Sequence, residues 1–199
     1  MRNAGLLHPL AAALVLWLGV LAPAVKAELF GPRKIKPAGI LRQDPPRIEK
    51  DLAELITPAN SHVIVSLSKQ RAFLMTGGQV YIDTPISSGK RASVTPTGTF
   101  RVMEKDPDHR SSIYGDFVDK KGRTVRSGVS TKVDSAPSGT RYRGAPMKWF
   151  CRLTSHGVGM HIGILPGYPA SHGCIRLPAE IAPLIYAKVK VGTEVVIEP

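Results

Sequence analysis

The stretch MHIGILPGYPASHGCIRLP, residues 160–178, places a histidine, a Gly/Pro-rich loop and a Ser-His-Gly-Cys run within nineteen residues. A cysteine thiol has an ordinary pKa of about 8.5 and attacks as the thiolate, so a nucleophilic cysteine needs an imidazole to take its proton. Cys174 is the candidate nucleophile, and His161 and His172 are the two candidate bases. The stretch therefore predicts a site for cysteine-dependent acyl transfer.

The loop in this stretch is expected to join two short strands. Residues 157–163 (GVGMHIG) alternate as a strand does, the LPGYPA segment carries turn residues, and SHGCIRL resumes an extended apolar pattern. We expect an active-site hairpin whose strand ends bring His161 and Cys174 into contact.

The spacing also predicts how the substrate would be held. If residues 172–176 are extended, His172, Cys174 and Arg176 share one face, because side chains alternate along a strand. Gly173 has no side chain, so a substrate carbonyl can approach the backbone there. We expect the N–H groups of Gly173 and Cys174 to form an oxyanion hole.

The run SHGCIR preceded by MHxG resembles the active-site signature of the L,D-transpeptidase catalytic domain, the YkuD-like family. The resemblance extends more weakly over residues 60–198, including SLSKQRAFL and the TPTGTF turn. It implies Cys174 as nucleophile and His161 as a general base held by a backbone carbonyl. It also implies His172 and Arg176 as supporting residues.

Three residues around the nucleophile are expected to serve the oxyanion and the substrate, namely Ser171, Gly173 and Arg176. The spacer between His161 and Ser171 has nine residues, which is shorter than usual in the cross-linking members, whereas His156 would give a spacer of fourteen. We prefer His161 as the base because it lies in the MHxG context directly before LPGYPASHGC.

A zinc site is the metal-based alternative for the same residues. Its candidate ligands by type are His156, His161, His172 and Cys174, but their spacing matches none of the common structural zinc patterns. We therefore expect neither a metal nor another cofactor.

The first 27 residues read as a secretory signal peptide, with Arg2 before the apolar run Leu10–Leu21 and Val-Lys-Ala at the expected cleavage site. An uncleaved anchor is the alternative, but the run is shorter than the roughly twenty residues that a membrane span needs. We expect export to the periplasm or the cell-wall space.

Export makes the two cysteines informative. A bridge between Cys151 and Cys174 has to be considered in an oxidising compartment, but it would silence the well-placed nucleophile. Cys151 lies in the apolar pattern KWFCRL and is interpreted as a small buried hydrophobe.

The formal net charge is +12, and removal of residues 1–27 leaves +10 because only Arg2 and Lys26 are lost. Such a charge favours polyanions. No nucleic-acid-binding module is recognisable, so we expect no nucleic-acid partner. Peripheral association with anionic envelope polymers fits the expected compartment, and a solvated basic surface without a specific partner is the alternative.

The chain divides into the signal peptide, a Pro-rich linker at residues 28–59, and a catalytic domain at residues 60–199. Apolar spacing over residues 46–56 predicts a short amphipathic helix in the linker, with Ile48, Leu52, Leu55 and Ile56 on one face. A second helix is expected to begin at Pro178 and to present Ile181, Leu184, Ile185 and Val189 on one face.

Residues 104–144 are polar and lack a sustained apolar period, so they are interpreted as a loop insertion that frames the substrate groove or as a disordered excursion. Many short strands and little helix predict a mostly β fold. The resemblance implies the same fold, an L,D-transpeptidase-like β-sandwich or barrel with a short helix after the active-site strand.

The combined expectation is an exported enzyme that acts on peptidoglycan stem tetrapeptides through a Cys174 thioester and releases D-alanine; the substrate and its stereochemistry are implied by the resemblance. The acyl acceptor would be a stem peptide, a protein lysine, a D-amino acid or water. Water as acceptor would make the protein an L,D-carboxypeptidase or cross-link hydrolase. A non-catalytic wall-binding module is the alternative from another class, and we expect a monomer.

Overall fold

The computed structural model describes residues 43–91 and 94–199. These residues form thirteen strands, a 3-10 turn at Lys50–Leu52 and a helix, α1, at Ala182–Lys188. The strands are, in chain order, β1 Arg47–Ile48, β2 Ser61–Ser66, β3 Arg71–Thr76, β4 Gln79–Pro85, β5 Gly98–Arg101, β6 Glu104–Asp106, β7 Arg110–Val118, β8 Thr124–Ser130, β9 Arg141–Pro146, β10 Phe150–Arg152, β11 Gly159–Ile162, β12 Ile175–Leu177 and β13 Glu194–Glu198. The predicted mostly β fold is confirmed. The predicted signal peptide lies outside the described residues.

The first sheet has six strands in the order β1-β4-β3-β2-β13-β5. Its centre is the meander β2-β3-β4, in which Gly77 and Gly78 form the tight turn between β3 and β4 with positive φ angles. The last strand, β13, pairs in parallel with β2 and antiparallel with β5, so the end of the chain lies inside the sheet. Alternate residues of β2 and β3 are buried, as expected of a sheet with one face on the core.

The second sheet has four strands in the order β12-β11-β10-β6 and shares one hydrophobic core with the first sheet and α1. The core combines side chains from all three parts: Val63, Val65, Leu74, Ile82, Met160, Ile175, Leu177, Ile185 and Ile197. Lys105 of β6 donates to the carbonyls of Tyr186 and Val189 at the end of α1, at 2.7 and 2.6 Å. A lysine at this end satisfies carbonyls that a helix leaves unpaired.

The predicted active-site hairpin is wrong in strand direction, because β11 and β12 are parallel neighbours. Met160 is paired with Ile175 and His161 with Arg176. Parallel strands need a crossover connection rather than a two-residue turn, which explains why a long Gly/Pro-rich loop separates them. Only residues 175–177 are strand, and residues 172–174 form a bend.

The segment predicted as a loop insertion, residues 104–144, is mostly strand. It supplies β6 to the second sheet and forms most of a third sheet in the order β8-β7-β9. Its pairing shifts register several times along β7, and much of β8 is exposed. These irregularities remove the alternation of apolar residues that identifies strands in a sequence.

The predicted helix over residues 46–56 is wrong. In its place the chain forms β1, whose Arg47 pairs with Asp83 of β4, and then the 3-10 turn. Leu52 and Ile56 are buried, but Ile48 and Leu55 are exposed. Backbone pairing with the edge of the sheet replaces the hydrogen bonds that a short and costly helix would have formed.

The helix after the active-site strand is confirmed, but it begins at Ala182 rather than at Pro178. The Pro178 carbonyl accepts the hydrogen bonds of the preceding turn, and Pro183 occupies the first turn of α1. Ile181, Ile185 and Val189 are buried as predicted, whereas Leu184 is exposed. No helix in residues 43–91 and 94–199 has the length and hydrophobicity needed to cross a bilayer.

Candidate active site

The predicted site residues lie around one cavity of about 780 Å³. Its lining includes all six of them: His161, Ser171, His172, Gly173, Cys174 and Arg176. The third sheet contributes another wall, with Ser111, Ile113 and Tyr114 of β7, Lys132 from the turn after β8, and Ala145 and Pro146 of β9. The fold therefore brings the predicted residues together, while their roles stay predictions.

His161 lies on β11 with a buried ring, 8% exposed. Its Nδ1 is 2.6 Å from the carbonyl oxygen of Ile162. Because a carbonyl can only accept, Nδ1 carries the proton and Nε2 is left as the acceptor nitrogen. Burial lowers the pKa of His161 to about 4, opposed by the bond to Ile162, so the ring is neutral at pH 7. A neutral imidazole with a fixed tautomer is suited to accept a proton.

Cys174 is mostly buried, and burial raises the pKa of its thiol above the ordinary value. The thiol donates to the carbonyl oxygen of Gly157 at 3.6 Å, and the Gly159 N–H donates to the sulfur. Among the described residues, neither imidazole forms a hydrogen bond with this sulfur. Because His161 pairs with Arg176, it lies diagonally across the two strands from the position of Cys174. Both side chains line the same cavity.

Ser171 fixes the bend that presents the cysteine. Its buried hydroxyl donates to the carbonyl of Cys174 at 2.5 Å and accepts from the Gly173 N–H at 3.0 Å. Its backbone N–H also donates to Ser88 at 2.9 Å. Ser171 thus shapes the loop. The Gly173 N–H that was expected in the oxyanion hole is already bonded to this hydroxyl, because the bend folds it inward.

Unlike the Gly173 N–H, the Cys174 N–H donates no hydrogen bond to any described residue. Gly173 has a φ of +136°, and a Cβ there would lie 3.0 Å from the Val94 carbonyl oxygen. The backbone conformation is strained for any other residue, and a Cβ there would be in an unusually tight contact with this oxygen. The Gly173 carbonyl accepts from the Thr95 hydroxyl at 2.8 Å, which gives the TPTGTF turn a direct contact with the loop.

His172 faces the third sheet. Its ring stacks on Tyr114 of β7, with centroids 4.1 Å apart and planes 16° from parallel. Burial lowers the pKa of His172, and Lys90 and Arg176 act in the same direction. The stack joins the loop to the third sheet, and the supporting role implied for His172 stays a prediction.

Arg176 on β12 is half-buried in the cavity wall. Its guanidinium donates to the Ile164 carbonyl at 3.4 Å. A Cβ at Gly163 would lie 2.5 Å from the Arg176 stem, so the glycine of MHxG makes room for that side chain. The two halves of the motif are therefore linked by packing.

The structure does not support the alternatives for these residues. Cys151 and Cys174 are both free, and burial raises the pKa of Cys151 to about 12, so Cys151 is the expected buried hydrophobe. His156 lines the cavity but is exposed, and its ring approaches only the hydroxyl of Ser155, at 3.4 Å. His161 thus remains the better candidate for the base.

The four candidate ligands of the zinc alternative do not form a group of converging ligand atoms within the described residues. The group found there whose ligand atoms come within 4.8 Å of one another comprises Glu104, Asp106 and His109. Glu104 is already paired with Arg152 at 2.5 Å, and Asp106 with His109 at 3.1 Å. These contacts already occupy the polar atoms of the group.

Sequence reasoning missed the residues of the third sheet and the backbone groups around the sulfur. Tyr114 and Lys132 lie in the segment interpreted as a loop, where no motif distinguished them. The alternation of residues 157–163 indicates a strand, and the repeated glycine within it, Gly157 and Gly159, is the signal of a place where another group approaches the backbone closely. A Cβ at Gly159 would lie 2.4 Å from the Phe150 ring.

The chain matches the family described as the L,D-transpeptidase catalytic domain, YkuD, over residues 60–197. A search of curated proteins finds no match. Among solved structures, it resembles an L,D-transpeptidase from Mycobacterium smegmatis with 22% identity and a TM-score of 0.53, covering 70% of this chain and 59% of that one.

An L,D-transpeptidase from Stackebrandtia nassauensis gives 17% identity and a TM-score of 0.51, covering 70% of this chain and 56% of that one. The L,D-transpeptidase LdtMt1, solved in complex with imipenem, gives 22% identity and a TM-score of 0.51, covering 69% of this chain and 58% of that one. The chain spans less than two thirds of the length of these solved proteins, and at these identities the likeness shows the fold. With the family match over residues 60–197, the chain belongs to the L,D-transpeptidase catalytic domain family.

Proposed function

We propose that this protein is an exported cysteine acyl-transferase that acts on peptidoglycan stem tetrapeptides and transfers the acyl group to an amine. One observation carries the proposal. In a family domain of this type, a buried imidazole whose Nε2 is the acceptor lines the same cavity as a mostly buried thiol. A binding module would need neither group.

The resting pair is neutral, because burial disfavours both the thiolate and the imidazolium. Proton transfer from Cys174 to Nε2 of His161 therefore accompanies attack on the carbonyl of the third stem residue. The two charges formed together offset part of the cost that each would carry alone. The Cys174 N–H is the available donor for the oxyanion.

Collapse of the tetrahedral intermediate breaks the L-to-D peptide bond and leaves a thioester on Cys174. The departing D-alanine amine takes the proton from His161. An acceptor amine then loses a proton to His161 and attacks the thioester, which restores the thiol. Ser171 supports these steps by holding the Cys174 carbonyl and, with it, the bend that carries the nucleophile.

Incubation with a disaccharide tetrapeptide, with products resolved by mass, tests the proposal. A dimer that has lost one D-alanine indicates transfer to a stem peptide, and a tripeptide alone indicates hydrolysis, which would make the protein an L,D-carboxypeptidase. Added D-amino acids and lysine-containing protein acceptors test exchange and protein anchoring. Absence of every product would contradict the proposal.

Cys174→Ala separates an enzyme from a wall-binding module. Binding to isolated sacculi should persist in the variant under either reading, but product formation should be lost only if Cys174 is the nucleophile. Cys151→Ala is the matched control, since that thiol is buried in the core and does not line the cavity.

One solved relative is described in complex with imipenem. We expect imipenem to acylate this protein on Cys174, with a mass increase that maps to that residue. Export is tested separately: the N-terminus of the mature protein should begin after residue 27, and a retained Met1 would contradict cleavage.

A further inference from the structure

The charged side chains that line the cavity, within the described residues, are all positive. Within the described residues that line it, the permanently charged side chains are Lys132, Arg152 and Arg176, and no carboxylate is among them. Arg152 is neutralised by Glu104, whose carboxylate accepts from Nε at 2.5 Å. Lys132 and Arg176 therefore supply the charge that a bound molecule would meet.

Lys132 is carried by a turn that is fixed against the third sheet. The turn follows β8, and the neighbouring Thr131 donates its N–H to the Ile113 carbonyl at 2.9 Å and its hydroxyl to the Ser112 carbonyl at 3.1 Å. Both carbonyls belong to the part of β7 that lines the cavity. The backbone of Lys132 is thus held at the rim of the site.

The nearest carboxylate along the chain is committed elsewhere. Asp134 accepts from Arg126 at 2.6 Å through one oxygen and from the Ser130 N–H at 2.8 Å through the other. Among the described residues, no carboxylate lies within 4.0 Å of the Lys132 ammonium. By contrast, all three acids of the third-sheet region are paired with arginines: Asp116 with Arg143, Asp119 with Arg123, and Asp134 with Arg126.

The two cations come from different walls of the cavity. Lys132 belongs to the third sheet and Arg176 to β12, and the stack of Tyr114 on His172 joins these walls. Cations that face a partly enclosed cavity raise the local concentration of anions and select for them.

We propose that Lys132 is a specificity-determining residue that binds a carboxylate of the acyl donor and so selects an anionic peptide over its amidated form. The inference rests on the proposed function, because a stem tetrapeptide is the polycarboxylate donor. Lys132 binds substrate and takes no part in proton transfer. An ammonium forms a charge-assisted hydrogen bond with a carboxylate, and loss of such a bond should cost about tenfold or more in kcat/KM.

The test compares Lys132→Met with the matched control Lys121→Met. Lys121 is an exposed lysine of the turn before β8 and does not line the cavity. Each protein is assayed with the free-acid tetrapeptide and with donors amidated at one carboxylate at a time. Lys132→Met should lose about tenfold with the free acid, mainly through KM, and Lys132→Arg should retain most of the activity. On one amidated donor, wild type and Lys132→Met should be equal.

The proposal is overturned if Lys132→Met loses the same factor with every donor, or loses nothing. Calorimetry gives a readout without turnover. It measures the affinity of the free-acid tetrapeptide for Cys174→Ala and for the Cys174→Ala/Lys132→Met double variant. A wild-type protein that forms no product contradicts the proposed function, yet the calorimetric comparison still decides the role of Lys132. Equal affinity of the two variants for the free acid would refute it.

Discussion

The buried His161 should make the folded protein lose stability in acid. An unfolded chain binds a proton at this residue with the ordinary pKa of 6.5, whereas the folded protein does so only at about 4, because burial disfavours the charged ring. Between these values the unfolded state binds more protons. Stability is therefore unaffected by His161 above pH 6.5, falls as the pH drops below it, and levels off below pH 4.

The difference between the two pKa values corresponds to about 3 kcal/mol in the limit of low pH. At about pH 5, where the folded protein still excludes most of the proton, the cost is about 2 kcal/mol. For a domain of this size, a loss of about 2 kcal/mol should lower the melting temperature by about 4–8 °C relative to a variant that lacks the imidazole of His161.

The assay is chemical or thermal unfolding of wild type and His161→Asn at about pH 8 and pH 5. Asparagine keeps a donor near the position of Nδ1, so the bond to the Ile162 carbonyl can be retained while the titrating group is removed. The difference in stability between the two proteins should move by about 2 kcal/mol in favour of the variant at the lower pH. His156→Asn, which removes an exposed imidazole and leaves His161 in place, should keep the wild-type dependence. A wild-type to His161→Asn difference that stays constant from pH 8 to pH 5 would refute the reasoning.

The other predictions concern the loop and the thiols. Ser171→Ala should destabilise the fold by about 3 kcal/mol and reduce turnover, because it leaves the Gly173 N–H and the Cys174 carbonyl unpaired in a buried place; unfolding and product assays measure the two effects. A Ser171→Ala protein of wild-type stability would contradict that account. Gly173→Ala should slow acylation of Cys174 by imipenem, since the φ of +136° is strained for alanine and its Cβ would crowd the Val94 carbonyl oxygen at 3.0 Å; a variant acylated at the wild-type rate, followed by mass, would count against it. Alkylation by iodoacetamide should be slow at pH 7 and faster above pH 8 at Cys174, because burial raises its pKa, and Cys151 should react only on unfolding; rapid labelling of Cys151 in the folded protein would show that the core is not closed.

The segments that sequence reasoning placed correctly are those with a short-range pattern. The strands at HVIVSLS and TEVVIE alternate buried and partly exposed residues, and the structure has strands there. The site motif was also readable, because its residues lie within nineteen positions of one another and their chemistry is specific. The third sheet was missed because register shifts along β7 remove the period that would reveal it.

The prediction of a helix in the linker was wrong for a different reason. The apolar spacing of residues 46–56 fits a helix, but Glu49 donates its N–H to the Tyr81 carbonyl at 2.9 Å and the segment adds to the edge of the first sheet. Tertiary pairing outweighed a local preference that is weak in so short a segment.

Residue type and local spacing are enough to identify the side chains that could do chemistry. Cys174, the imidazole of His161 and the glycines that let a substrate or a side chain come close are properties of residue type and spacing. Long-range contacts set the parallel direction of β11 and β12, the hydrogen bond from Nδ1 of His161 to the Ile162 carbonyl, and the place of Lys132 in the same cavity as Arg176. Strand direction, burial and charge placement depend on contacts between residues far apart in the chain, and a local pattern carries no information about them.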